Sequence, residues 1–270
     1  MSFLDRSRAR VFAHRGGCAI GPENTIAAFD TGMAAGADGL EFDVHLSADG
    51  VPVVHHDDTL ERTTDARGSV AARTAAELAR VDAAAHFVDA RGTYPLKGQG
   101  IGVPTLAEVL TRYPGVPIIV EMKVDSDAMG QAVAAAVRRA GAADHVCAAG
   151  FGFRCVRAAR QALPEMATSA CGPEVRLALY RSWVSCPVRR PRFEAYQVPE
   201  FAGRLRIVSP RFIRHAHRAG LLVQVWTVDE QPDMERLLAW GADALISNRP
   251  DLAVQVRDAL VRQTTGRAIG

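Results

Sequence analysis

The chain has 270 residues, long enough for one α/β barrel or two small domains. Hydrophobic residues make up 48% and charged residues 23%, an ordinary globular mix with ample material for a core. The 32 basic and 30 acidic side chains nearly cancel, and aromatics are only 6%, which argues against nucleic acid as a partner.

Short β-branched runs alternate with amphipathic stretches along the chain. A strand over Val11–His14 precedes a helix over Thr25–Ala35, with Thr25 placed to cap it after Pro22-Glu23-Asn24. A second strand covers Gly39–Leu46. The rhythm then breaks: from 57 to 103 only a helical piece at Thr74–Arg80 stands out, before Gly92, Pro95, Gly98, Gly100 and Gly102. A loop that long in a compact domain is often functional, and after the second strand of a barrel it lies at the catalytic rim. It reads as a small insertion partly covering the active site.

The alternation resumes with helix Leu106–Tyr113, strand Pro117–Lys123, helix Met129–Ala140, strand His145–Ala149 and helix Arg154–Ala162. Strand Met166–Ala170 follows. The basic, proline-containing run Cys186–Arg192 reads as a solvated loop, with an acidic or phospholipid-like partner as the sharper alternative. Strand Ala195–Val198, helix Pro210–Ala219, strand Leu222–Thr227, helix Pro232–Trp240, strand Ala244–Ser247 and helix Pro250–Arg262 complete the chain. Gly141, Gly220 and Gly241 punctuate helix ends. Eight strands with intervening helices predict one α/β domain over 1–270, a (β/α)8 TIM barrel with the 57–103 insertion after its second strand. A doubly wound open sheet is the alternative, but no GxGxxG follows the first strand.

The five cysteines, Cys18, Cys147, Cys155, Cys171 and Cys186, are widely spaced without a CxxC pair. They read as reduced thiols rather than a disulfide framework or zinc site. No run approaches the roughly 20 apolar residues of a membrane span, and the N-terminus has no signal-peptide core. The expectation is a cytoplasmic protein without a membrane span.

On the second strand, Glu41, Asp43 and His45 share one face, and Phe42 and Val44 the other. Both faces of a parallel strand are normally buried, so inward carboxylates need compensation, for which a hard divalent cation is suited. Glu121 and Lys123 share a face near the end of the third strand and bring a third carboxylate and an ammonium to the same rim. His14 ends the first strand and His56 follows the return of the second. A histidine pair can act as general base and acid near neutral pH, and Arg15 with Lys123 would face an anionic substrate. His45 reads as packing rather than chemistry.

These residues fall in motifs that resemble the glycerophosphodiester phosphodiesterase family. His14-Arg15-Gly16 with Pro22-Glu23-Asn24-Thr25 is similar to its HRG…PENT opening, and Glu41-Phe42-Asp43 to its ExD strand. Asp49 through Asp57 is similar to DGxPVVxHD, followed by Arg62-Thr63-Thr64 and Gly68. Ile101 through Leu110 resembles IPTLEEVL, and Glu121-Met122-Lys123 matches ExK. Val225-Trp226-Thr227-Val228 and Gly241 through Pro250 resemble the closing VWTV…NxP segments. The likeness spans residues 11–253 and thins between 165 and 210.

The resemblance implies a TIM barrel that hydrolyses small-molecule glycerophosphodiesters to glycerol 3-phosphate and an alcohol. It implies catalysis by His14 and His56, one divalent cation (Mg²⁺ or Ca²⁺) on Glu41, Asp43 and Glu121, phosphate contacts from Arg15 and Lys123, and Trp226 in the substrate pocket. Attack by water and attack by the glycerol hydroxyl stay open, as do the preferred head group and the oligomeric state; His56 is the preferred acid. Two alternatives remain: a sphingomyelinase D-like lyase on the same barrel, which an apolar substrate-binding loop would favour and which the sequence does not display, and a non-catalytic barrel binding phosphorylated ligands.

Overall fold

The computed structural model describes residues 2–267. Strand β1 (Arg10–His14) leads through α1 (Ile26–Ala34) to β2 (Gly39–Leu46), and β3 (Pro52–Val54) returns antiparallel beside β2. The short α2 (Ala75–Leu78) precedes α3 (Leu106–Arg112), β4 (Ile118–Met122), α4 (Asp127–Arg139), β5 (Val146–Ala149) and α5 (Phe153–Ala162). Then come β6 (Ala167–Thr168), α6 (Gly172–Trp183), β7 (Ala195–Pro199), the hairpin β8 (Phe201–Ala202) and β9 (Leu205–Arg206), and α7 (Pro210–Arg218). Strand β10 (Leu222–Trp226), α8 (Gln231–Ala239), β11 (Ala244–Ser247) and α9 (Pro250–Arg267) end the described chain.

The parallel strands run in the order β6-β5-β4-β2-β1-β11-β10-β7. The ends of that row meet: Ser169 bridges Ala195, and the Ala170 amide donates to the Ala195 carbonyl at 2.8 Å. Eight strands therefore close into the expected TIM barrel. The strand expected over Met166–Ala170 has only two paired residues, because β6 sits at the closure, where pairing on its second side is reduced to that bridge.

Alternation sorts the side chains. Phe12, Ile119, Cys147, Ala149, Ala195, Leu222, Ala244 and Ile246 form the inner cluster, with Phe3 against Phe12 at 6.1 Å. Leu40, Phe42, Val44, Ile118, Val120 and Met122 point outward and pack under α1, α3, α4 and α5. Val11, Val223, Val225 and Leu245 do the same beneath α7, α8 and α9. Thr25 caps α1, its hydroxyl accepting from the Ala28 amide at 3.2 Å. The segment 57–103 is not a bare loop: Leu60, Val70, Leu78, Val81, Ala83 and Val103 form a small core with Val53 of β3.

Helix α6 and the β8–β9 hairpin lie outside the elements the sequence marks. Helix α6 has its apolar residues on more than one side, which blurs the period, and each hairpin strand is only two residues long.

Glycine at 39 starts β2 for a steric reason. A Cβ there would lie 2.4 Å from the Pro117 carbonyl oxygen and 2.6 Å from the Phe12 ring. Gly39→Ala should lower stability by about 1–3 kcal/mol, read as a shift of the urea midpoint at unchanged slope.

Candidate active site

The polar residues converge because of register. His14 of β1 lies opposite Glu41 of β2, and Asp43 of β2 lies opposite Glu121 of β4. All four point inward at the C-terminal ends of adjacent strands, where barrel active sites form. Carboxylate oxygens of Glu41, Asp43 and Glu121 come within 4.8 Å of one another. Glu41 is 4% exposed and Asp43 1%.

Neighbouring cations offset part of this charge. The Lys123 ammonium lies 2.9 Å from Glu121 Oε1 and 3.2 Å from Asp43 Oδ1. Arg15 Nε lies 3.2 Å from Asp43 Oδ2, and its backbone amide donates to Glu41 Oε2 at 3.2 Å. Arg15 achieves this with a left-handed backbone, φ 52°. Gly16 follows at φ 88°, where a Cβ would meet Ala28 and Phe29 at 2.7 Å. The Asn24 amide donates to Asp43 Oδ2 at 3.0 Å.

The compensation is incomplete, since three carboxylates face two cations. Burial, then repulsion from Asp43 and Glu121, pushes the Glu41 carboxyl well above its ordinary value. Burial and Asp43 likewise raise Glu121 against the pull of Lys123. A buried, all-oxygen cluster short of positive charge fits a hard divalent cation.

The two histidines have different partners. His14 Nδ1 is 2.6 Å from Asn248 Oδ1. The Asn248 amide nitrogens, backbone and side chain, donate to Asp229 at 2.8 and 2.7 Å, which orients that oxygen toward His14. An amide oxygen accepts only, so His14 carries its proton on Nδ1, and its Nε2 faces Glu41 at 3.8 Å. Burial is the largest influence lowering the His14 pKa, with Arg15 adding to it and Asn248 opposing.

His56 Nδ1 instead meets the Asp57 carboxylate at 2.6 Å. Asp57 also accepts from Arg62 Nε, and Arg62 forms two 2.7 Å bonds to Glu23. Glu23 accepts from Arg15 at 3.0 Å as well, so the segment 57–103 is tied to the first loop through one carboxylate. His45 packs as expected: it is 4% exposed, its Nε2 3.0 Å from the His56 carbonyl.

A cavity of about 440 Å³ joins these groups. His14, Arg15, Glu41, Asp43, His56, Glu121, Lys123 and Trp226 all line it, so the structure brings together every site residue the sequence marks. Trp226 packs edge-on against Phe151 at 5.9 Å. The opposite wall is apolar, built by Val175 and Leu179 of α6 and by Ala202, Leu205 and Ile207 around the hairpin. Sequence reading showed no apolar substrate-facing loop; the fold supplies one from the region where the motifs thin. It also overlooked Asn248, Asp229, Asp57, Arg62 and Glu23 as partners. All but Asp229 lie inside the motifs quoted above, and nothing local marks Asp229.

A closed (β/α)8 barrel with its polar cluster at the C-terminal strand ends defines a TIM-barrel enzyme. The model of the glycerophosphoryl diester phosphodiesterase family matches residues 14–252. The chain is 30% identical to the glycerophosphodiester phosphodiesterase of Caldanaerobacter subterraneus subsp. tengcongensis, over 91% of this chain and 96% of that protein. The crystal structure of the glycerophosphodiester phosphodiesterase from Agrobacterium tumefaciens C58 is 28% identical with a TM-score of 0.75, covering 93% of this chain and 99% of that one. A phosphodiesterase from Oleispira antarctica, solved with the product sn-glycerol-3-phosphate, is 25% identical with a TM-score of 0.70, covering 92% and 96%. The chain belongs to the glycerophosphoryl diester phosphodiesterase family.

The Glu23–Arg62–Asp57 network should show in acid stability. Burial alone would raise Glu23, but Arg62 and Arg15 hold it down at about 2, against an ordinary 4.5. A depressed carboxyl contributes stability that is present above its unfolded value and lost as pH falls through its folded value. The urea midpoint of the wild type should therefore drop between about pH 4.5 and 2, and Glu23→Gln should flatten that limb while lowering the neutral-pH midpoint. An unchanged acid limb in the variant would show that Glu23 contributes nothing to it.

Proposed function

We propose that this enzyme hydrolyses glycerophosphodiesters to glycerol 3-phosphate and an alcohol, with Glu41, Asp43 and Glu121 holding one divalent cation, Mg²⁺ or Ca²⁺. The observation that carries the reading is the convergence of three buried carboxylates, Arg15, Lys123 and two differently partnered histidines on one cavity. The family match over residues 14–252 favours it over the lyase and over a non-catalytic binding barrel.

Bound there, the cation supplies positive charge against the phosphate oxygens and lowers the cost of the charge that builds up during displacement. Arg15 and Lys123 orient the phosphate from the protein side. Arg15 is held by Glu23 and Asp43, so little freedom is lost on binding.

His14 acts as the base. Asn248 keeps its proton on Nδ1 and leaves the Nε2 lone pair directed at the cluster, and its lowered pKa keeps it neutral. It takes the proton of the attacking hydroxyl: attack by water gives glycerol 3-phosphate directly, and attack by the glycerol hydroxyl gives a cyclic phosphate that water then opens. His56 acts as the acid. Its Nδ1 is held by the Asp57 carboxylate, which fixes the ring that gives its proton to the departing alcohol oxygen. Burial opposes ionisation of Asp57, but Arg62 and His56 bring its carboxyl down to about 2, so the partner stays charged. Trp226 lines the pocket beside this centre. The segment 57–103 carries Asp57 and Arg62 and reaches the site through their contacts to His56 and Glu23.

Release of glycerol 3-phosphate from glycerophosphocholine and glycerophosphoethanolamine tests the reaction. Turnover should require Mg²⁺ or Ca²⁺, stop with excess chelator and fall about 10²–10⁴-fold in His14→Ala. A folded protein that releases no product under either metal overturns the reading.

The acid is tested separately. His56→Ala should lose much more activity on a choline diester than on one with a nitrophenol leaving group, which departs without a proton. Equal losses on both would remove His56 from that role.

A further inference from the structure

The mouth of the cavity carries a surface that diester hydrolysis by itself does not use. Helix α6 runs along the rim. Val175 and Leu179 line the cavity, and the carbonyl of Trp183 at its far end accepts from Arg211, at the rim start of α7. Leu177, Tyr180, Trp183 and Val184 recur at helical spacing and share one stripe. They are 51%, 50%, 46% and 75% exposed. Tyr180 and Trp183 pack edge to face at 5.3 Å. Phe151 and Leu205 are also open to solvent, at 61% and 42%, while lining the cavity, so the apolar wall inside runs out onto the surface.

The charge of this region is uneven. Seven arginines and three glutamates lie between Gly172 and Arg206, in a chain whose net charge is only +2. Glu174 is held by Arg160, and Glu200 by Arg236. Among the described residues no carboxylate pairs with Arg176, Arg181 or Arg204. A second copy of the chain on this face would set arginine against arginine. An anionic lipid surface complements it: arginines meet phosphates, while Trp and Tyr settle at headgroup level with apolar side chains beneath.

We propose that the face formed by α6 and the β8–β9 hairpin docks on an anionic lipid bilayer and seats the cavity mouth at the headgroup layer. The apolar wall then continues the bilayer's own interior into the cavity and admits diesters whose alcohol side is apolar. That last consequence rests on the diesterase reading; the docking does not.

Cosedimentation of the full chain with vesicles tests this. The wild type should bind phosphatidylcholine–phosphatidylglycerol vesicles, bind phosphatidylcholine vesicles far less, and release in high salt. Tyr180→Ser with Trp183→Ser should weaken binding about tenfold, and Arg181→Glu more than about fivefold. Both variants should hydrolyse soluble glycerophosphocholine at the wild-type rate. Absence of binding to anionic vesicles at low salt, equal binding by wild type and variants, or a solution dimer abolished by the double substitution would each overturn the proposal. Binding is read without turnover. Lost docking with intact soluble turnover thus condemns only the docking, and intact docking without turnover condemns only the diesterase reading.

Discussion

Burial of three carboxylates at one end of a barrel is the constraint around which the rest of this structure is arranged. In such surroundings like charges cannot remain ionised together without compensation. Lys123 is drawn between Asp43 and Glu121, Arg15 is folded back onto Asp43 by a left-handed turn, and Asn24 donates its amide to the same carboxylate. The tight packing of Gly16 against α1 lets that turn lie close to the barrel. These contacts leave the cluster short of positive charge. The same deficit that would weigh against folding suits the cluster to a hard cation.

The histidines are separated by the chemistry of their partners rather than by their own type. An amide oxygen fixes one proton position on His14, while His56 is held at the same ring nitrogen by a carboxylate. Each partner is itself held, Asn248 by Asp229 and Asp57 by Arg62. Glu23 joins Arg62 to Arg15, so the placing of Arg15 and the orientation of His56 share one carboxylate. The 57–103 segment therefore contributes two of the groups that orient His56, besides its own small core.

The two sides of the cavity come from different physical requirements. Its polar side is built by strands whose pairing with both neighbours leaves little freedom of position. Its apolar side is built by α6 and a two-residue-stranded hairpin, elements with fewer constraints and more exposed surface. That division leaves the polar cluster rigidly held and the apolar wall more open.

Much of this was legible in the amino-acid sequence because local patterns report local causes. Alternation on Gly39–Leu46 put Glu41 and Asp43 on one face, and the βα rhythm predicted the barrel on which that face points inward. His14, Arg15, Lys123 and His56 lie at strand ends, so the fold class alone carried them to the same rim. Only the tertiary structure decided the rest. The pairing register sets Asp43 opposite Glu121, and contacts over hundreds of residues select the histidine partners: Asn248 lies 234 positions from His14. Helix α6 escaped the sequence because a rim helix that is apolar toward both cavity and solvent has no clean period. Residue type and spacing specify which groups can act, whereas their proton positions and mutual charges depend on neighbours that only the closed barrel brings together.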